Sequence, residues 1–356
     1  VPARTLSSLR GRMVAVYSVT HFLVDLSCIF ALFFLVGTSE LHLCILLYNF
    51  CAFALQMPLG IVADRISRNF VFAAAGCLLI AAAYLLGQAP YVMVVVLGIG
   101  NAAFHLGGGI DVLNAYDKKA GPLGVFVSPG ALGVYLGMLL AKSVVSPATP
   151  LLIGLPLLLL AAACMILLVR RAQGDAYPRN AEVSLAPAAS PQLLLAATCL
   201  FLVVCLRSWA GLSLGFSWKA APLLGLAVVC AVVLGKTLGG FAADRYGATR
   251  TAVISLGVAA LLFACSSVPT VGVAAPTGIV ALLLFNMTMP ITLWALVRIL
   301  PGAKGFCFGL LTFGLFLGFI PSYLRVAVFT DIGWLFGLAS LASLALLWLA
   351  LRKART

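Results

Sequence analysis

The chain has 356 residues, of which 63% are hydrophobic and only 9% charged, with a formal net charge of +13. A soluble domain carries about 45–50% apolar and about 25% charged residues, so this composition excludes a water-soluble enzyme or binding domain. Apolar runs of roughly 20 residues, enough to cross about 30 Å of hydrocarbon, recur without alternation, which predicts an all-α polytopic membrane protein and excludes a membrane barrel.

Twelve spans are predicted: 13–36, 41–62, 70–88, 91–113, 122–145, 151–169, 193–214, 221–243, 251–268, 276–297, 306–328 and 334–351. Span one is too long for a cleavable signal and carries His21 and Asp25, four residues apart on one helix face. Span two holds Gln56 and ends in Gly60-Ile-Val-Ala-Asp64-Arg65-Ile-Ser-Arg68. Span four contains Gly100-Asn-Ala-Ala-Phe-His105, with Asp111 further along and expected to pair with nearby lysines. Span five has Gly124, Pro129, Gly133 and Gly137. The Pro/Ala-rich stretch 173–192 is a linker between an N-terminal bundle, 1–172, and a C-terminal bundle, 193–356.

Beyond the linker, span seven places Arg207 among apolar residues and span eight contains Lys236. Gly240-Phe-Ala-Ala-Asp244-Arg245-Tyr-Gly-Ala-Thr-Arg250 follows, its Gly and Asp standing 180 residues after Gly60 and Asp64. Span ten has Asn286 and Pro290. Span eleven has Gly305, Gly314 and Gly318, each 181 residues after a glycine of span five, then Pro321 and an Arg325 expected to snorkel at the outer end. Such self-similarity predicts two copies of one six-span half, with the small-xxx-small pairs allowing close helix packing and the prolines allowing bends.

The basic residues indicate orientation rather than nucleic acid. Arg10 and Arg12, Arg65 and Arg68, Lys118 and Lys119, Arg170 and Arg171, Arg245 and Arg250, Arg298 and Lys304, and Arg352, Lys353 and Arg355 all fall on one side if the spans alternate. The positive-inside rule then puts both termini in the cytoplasm. Ten cysteines are scattered without a Cys-x-x-Cys pair and are expected to be packing residues.

Ionisable groups inside spans cost about 2.5–3.5 kcal/mol each on insertion scales, so each marks a candidate site. By the repeat, Asp25 maps near Arg207, His105 onto Asn286 and Gln56 onto Lys236. Asp25 and Arg207 could instead form a structural ion pair, the histidines could be buried hydrogen-bonding residues, and Lys236, about two turns from Asp244, could snorkel or pair structurally. His21, Asp25 and His105 also make a two-His-one-carboxylate set of the kind that takes a transition metal. Three enzyme-like strings, Gly211-Leu-Ser213-Leu-Gly215, Gly98-Ile-Gly100-Asn-Ala-Ala103 and Gly235-Lys236-Thr237, lack the strand-turn-helix context their chemistry requires.

The duplicated Gly-x-x-x-Asp-Arg loop in a six-plus-six layout resembles the signature loop of the major facilitator superfamily. The resemblance implies that family's twelve-helix fold of two pseudo-symmetric six-helix bundles, with spans one, four, seven and ten lining a central cavity. It implies that Gly60, Asp64, Arg65 and Arg68, with Gly240, Asp244, Arg245 and Arg250, form a cytoplasmic gating latch that stabilises the outward-facing state; each aspartate can face the positive N-terminal end of a neighbouring helix, and the arginines can hold neighbouring carbonyls or carboxylates. The pairs His21-Phe-Leu-Val-Asp25 and Gly100-Asn-Ala-Ala-Phe-His105 are similar to those of fosmidomycin-resistance-type drug/proton antiporters, with Leu106 where that subfamily has Pro.

These readings together predict a secondary active transporter working by alternating access in the cell (inner) membrane. Its solute is a small anionic or zwitterionic organic molecule held by Arg207, His105, Asn286, Lys236 and Gln56, with protons coupled through Asp25 and His21. The alternatives are a divalent-metal carrier using His21, Asp25 and His105, and a non-transporting sensor or assembly factor on the same fold. The partners expected are solute, protons and lipid, for a monomer with no cofactor, no nucleic acid and no enzymatic role.

Overall fold

The computed structural model describes residues 3–143, 149–181, 190–267, 270–326 and 328–353, with side chains from 7 onward. Arg355 and linker residues 182–189 lie outside the described residues. Among the described residues, twelve helices are long and apolar enough to cross a membrane: Ser7–Leu35, Leu41–Ile66, Asn69–Leu86, Pro90–Ala115, Gly121–Ser143, Thr149–Ala176, Pro191–Ser213, Pro222–Tyr246, Ala248–Cys265, Val271–Ile299, Lys304–Tyr323 and Gly333–Lys353. They are spans one to twelve below. The number agrees with the sequence reading, and most boundaries fall within a few residues, although span one begins six residues earlier than expected.

Local chemistry explains where these helices start and break. Pro90, Pro191 and Pro222 each stand in a first turn, where a missing N–H costs no helical hydrogen bond. Ser190 caps span seven by accepting from the Leu193 N–H at 3.3 Å. Span five breaks at Ser128, just before Pro129, and span ten breaks at Met287–Thr288, before Pro290. Span two contains a π-helical turn, Phe50–Ala54, closed by Leu55 N–H to the Phe50 carbonyl at 3.2 Å. Pro58 stands four residues after Ala54, whose carbonyl its ring would strike in a regular helix, and the wider turn removes that clash.

The chain forms two compact units. The first comprises Val1–Asp117, Pro129–Val183 and Gly302–Gly309, and the second Lys118–Ser128, Ser184–Pro301 and Leu310–Thr356. The opening turns of spans five and eleven thus each count with the unit that does not hold the rest of their helix. In the first unit, Gly133 and Gly137 lie against the backbone of span one around Phe22 and Leu26. In the second, Gly318 lies against Cys205 and Trp209 of span seven. An added Cβ would overlap those neighbours, so both small-xxx-small stripes serve packing. Span four has the most buried apolar window, 83%, whereas those of spans six and eight are 28% buried and present leucines outward. All ten cysteines are free thiols.

One register expectation is corrected. In the first unit, added Cβ atoms on Gly60 and Gly309 would meet the carbonyls of Gly305 and Gln56. In the second, the corresponding contacts join Gly240 to Ala120 and Gly124 to Lys236. Gly124 is therefore the counterpart of Gly309, and the offset in this stretch is 185 residues, about one helical turn beyond the 181 read from the glycine pattern. Most of the shift enters at the break in span ten, which has 29 residues against 26 in span four. The all-α expectation also meets one small exception, a parallel pairing of Leu214–Gly215 with Phe329–Thr330.

Candidate functional site

Three groups of polar residues stand out. The first lies within the first unit, on spans one and four. His21 and Asp25 share a helix face, and His21 Nε2 lies 3.2 Å from Asp25 Oδ2. His105 Nε2 stands 2.8 Å from His21 Nε2 and 3.8 Å from Asp25 Oδ1. Asn101, one turn before His105, donates from its amide to Asp25 Oδ1 at 2.9 Å. The His105 Nδ1 lies 2.8 Å from the Asn101 carbonyl, which can only accept, so Nδ1 carries a proton and Nε2 is left to face His21. Gly130 of span five makes room, since an added Cβ would collide with both Asp25 and His21.

The ligand atoms of His21, Asp25 and His105 lie within 4.8 Å of one another, so the set could accommodate a metal ion. Ligands about 2.0–2.1 Å from a tetrahedral zinc stand roughly 3.3 Å apart. The two imidazole nitrogens, at 2.8 Å, are closer than that and sit at hydrogen-bond distance. This geometry favours a proton between them.

The second group belongs to the second unit. Arg207 of span seven is buried at 7% exposure. Its Nη2 donates to Thr288 Oγ1 at 2.6 Å, and its guanidinium lies 5.9 Å from the Phe285 ring centroid. Its Nε has no partner, and no carboxylate pairs with it among the described residues. Thr288 sits at the break in span ten, so the arginine faces the place where the helix restarts with Met289. Asn286 donates to the Leu282 carbonyl at 2.8 Å. Lys236 reaches the Val127 carbonyl at 3.4 Å rather than Asp244. Gln56, in the first unit, is fully buried and donates to the Ala52 carbonyl at 2.6 Å.

The third group is the pair of signature loops. Asp64 accepts from the backbone N–H groups of Gly305 and Phe306, at 2.6 and 2.9 Å, at the start of span eleven. Asp244 accepts from Ala120 and Gly121 in the same way, at 2.7 and 2.9 Å, at the start of span five. Each carboxylate thus takes two donors that a helix N-terminus leaves unpaired. Gly60 and Gly240 allow this approach, because a Cβ on either would overlap the facing backbone. The arginines depart from expectation. Arg65, Arg68 and Arg250 are exposed and their side chains make no hydrogen bond or ion pair among the described residues, while Arg245 lies over the Tyr246 ring at 5.6 Å. In this conformation the loops act through the carboxylates.

Asp111 also differs from expectation. It is fully buried and has no lysine partner among the described residues; it accepts from Tyr17 at 2.7 Å, from Asn69 at 2.9 Å and from Tyr177. Burial and the adjacent Asp111 carboxylate push the Tyr177 phenol well above its usual value, so it remains a donor. Asn180, three residues on, donates to the Ala63 and Asp64 carbonyls at 3.0 and 3.2 Å. It also accepts from Asn69 and Asn114 at 2.7 and 2.8 Å. Tyr177 and Asn180 looked like ordinary linker residues, and only the charge buried at Asp111 hinted that something must reach it.

Replacing either loop carboxylate by an amide leaves one acceptor for two helix N–H groups. Asp64→Asn is expected to weaken the arrangement by about 1.5–3 kcal/mol and, if the loops are the gating latch that the resemblance implies, to slow solute turnover more than it weakens solute binding. Asp244→Asn should do less, because Asp64 is 5% exposed while Asp244 is open to solvent. Unchanged turnover in both variants, measured beside solute binding, would remove the latch role.

No protein-family model matches the chain, and no curated protein sequence matches it. Solved structures do. Two are of FucP, one of them described as the E. coli fucose:proton symporter. A variant of it is 14% identical with a TM-score of 0.61, covering 97% of this chain and 97% of that one. FucP in the outward conformation, described as a major facilitator superfamily transporter, is 14% identical with a TM-score of 0.62, covering 98% and 97%. A bacterial homologue of the iron transporter ferroportin, in an outward-facing state, is also 14% identical, with a TM-score of 0.60 over 98% of each chain. The protein is a multi-pass membrane protein. Its fold is that of the major facilitator superfamily.

Proposed function

We propose that the chain is a secondary active transporter, not an enzyme, which moves a small anionic or zwitterionic organic solute by alternating access. The observation that carries this reading is Arg207, a buried guanidinium with one side-chain hydrogen bond and no carboxylate partner among the described residues. A buried cation without a counter-ion is costly, and a solute carboxylate or phosphate would supply the missing charge with a two-pronged contact. Asn286 and Lys236 extend the same solute site, and His105 and Gln56 complete the substrate set. No cofactor is required.

Coupling to protons runs through His21, Asp25 and His105. The two facing imidazole nitrogens and the carboxylate beside them form a site where one added proton changes every contact. The bundles 1–172 and 193–356 are the two moving halves of a monomer in the cell (inner) membrane, with both termini cytoplasmic. A divalent-metal carrier is the second reading, favoured by the compact ligand set. Uptake into proteoliposomes separates these. Carboxylates, phosphate esters, amino acids, neutral sugars and divalent metals are offered in turn, with and without a pH gradient. Gradient-driven accumulation of an anion or zwitterion is the expected result; accumulation of neutral sugars alone, or of metals alone, would sink it.

A further inference from the structure

The two signature loops have matching seats behind them, filled differently. In the first unit the seat is taken by the chain itself, with Asn180 bonded to Ala63, Asp64, Asn69 and Asn114, its backbone N–H to Ser67 Oγ at 3.0 Å, and Tyr177 bonded to Asp111. In the second unit there is a cavity of about 570 Å³ whose lining includes Ala243, Asp244, Gly247, Thr249, Ala295 and Arg298. By the repeat these are the counterparts of Ala63, Asp64, Ser67, Asn69 and Asn114, which bond Asn180, and of Asp111, which bonds Tyr177.

The equivalences rest on geometry as well as on the repeat. Ser67 and Gly247 both have positive φ, 52° and 90°, at the same point of the loop, although their ψ differ, 36° against 142°. Spans four and ten both end on a residue of similar conformation, Tyr116 at φ −134°, ψ 51° and Leu300 at φ −127°, ψ 68°. Their N–H groups bond to Val112 and Leu296. That register pairs Asp111 with Ala295 and Asn114 with Arg298.

The chemistry of the seat is inverted by these changes. The first unit has a buried carboxylate, Asp111, which receives phenol and amide donors. The second unit has alanine there, a guanidinium in place of the Asn114 amide, and the ammonium of Lys118 on the wall. Ala248 and Thr249 add the first turn of span nine, an 18-residue helix whose N-terminus carries partial positive charge. The one acid on the wall, Asp244, directs its two oxygens to the N–H groups of Ala120 and Gly121. Arg298 lies over the Trp294 ring at 4.9 Å, which holds its guanidinium at the rim.

We propose that this cavity is a binding site for a phosphate-type anion, either a free phosphate or the headgroup of an anionic lipid, separate from the Arg207 site. The anion would sit beside the loop whose Asp244 binds the start of span five, so occupancy is linked to the state of that loop. The test uses the full-length protein purified in detergent and stripped of lipid. One arm titrates inorganic phosphate and follows thermal stability; the other adds phosphatidylglycerol or phosphatidylcholine and counts retained lipids by native mass spectrometry. The double variant Lys118→Gln/Arg298→Gln alters exposed side chains. Ala295→Asp restores the carboxylate of the other unit.

Binding of phosphate, or preferential retention of phosphatidylglycerol, is expected in the parent protein, weakened at least 10-fold in both variants while Arg207→Gln leaves it unchanged. The arm that responds identifies the source of the anion. No binding of either probe overturns the proposal, as does equal binding in the parent and the Lys118→Gln/Arg298→Gln variant. If Ala295→Asp fails to fold, the comparison of the parent with the double variant alone decides between these results.

Discussion

Arg207→Gln is expected to weaken binding of an anionic solute by about 10- to 100-fold, the loss that follows from removing a charge-assisted hydrogen bond of about 1.5–3 kcal/mol. The guanidinium is buried, bonded only through Nη2 to Thr288, and retains donors for a two-pronged contact. Glutamine offers one neutral amide in its place. Arg207→Lys should recover only part of the loss, because a point charge cannot reproduce the planar fork. Thr288→Val supplies a second check: it removes the hydroxyl that orients the guanidinium and should weaken binding less than Arg207→Gln. Titration of the solute into purified protein reads all three. Unchanged affinity in a well-folded Arg207→Gln variant would reduce the arginine to a structural residue.

Asp25→Asn is expected to abolish the dependence of transport on a pH gradient while leaving solute exchange partly intact. The amide keeps the side-chain volume, and Asn101 can still approach it, but it carries no titratable proton. Asp25 also holds the pair of histidines, with His21 Nε2 at 3.2 Å and His105 Nε2 at 3.8 Å, so the variant loses the charge around which the cluster is built. Gradient-driven uptake compared with solute counterflow, in the same vesicles, separates coupling from passage. Wild-type gradient-driven flux in this variant would move the coupling elsewhere, with His105 the next residue to replace.

Much of the architecture was legible because it follows from chemistry that repeats. Spans had to be apolar for about 20 residues, and the Gly-x-x-x-Asp-Arg string occurs after both spans two and eight. His21 and Asp25 were found by their spacing, since four residues bring two side chains onto one helix face. The tertiary partners were not legible. Asn101 and Thr288 are unremarkable polar residues until a neighbouring span brings Asp25 or Arg207 to them. Tyr177 and Asn180 lie in a stretch that composition marks only as a linker, and their role comes from the seat formed by the loop and the end of span four.

The register error had a different origin. Glycines recur at small spacings throughout spans five and eleven, and the register one turn off pairs more of them (Gly124 with Gly305, Gly133 with Gly314, Gly137 with Gly318) than the true match, which pairs Gly124 with Gly309 and Gly133 with Gly318. The contacts of Gly60 with Gly305 and of Gly240 with Ala120 decide the issue, and no composition rule contains them. The π-helical turn of span two was within reach of the sequence, because Pro58 forbids a regular turn four residues earlier. In the loops, charge alone pointed the aspartates at helix N-termini, where they lie, and gave the arginines carbonyl or carboxylate partners, whereas Arg65 and Arg68 stand exposed.

The proposed function couples solute flux to proton flux within one chain. Its most direct test is solute-driven proton movement in proteoliposomes loaded with a pH-sensitive dye, with no pH gradient imposed at the start. An inward gradient of the transported anion should shift the internal pH at a rate proportional to solute flux, and Asp25→Asn should abolish the shift while solute continues to exchange. Solute flux in the wild-type protein with no accompanying pH change would contradict the account.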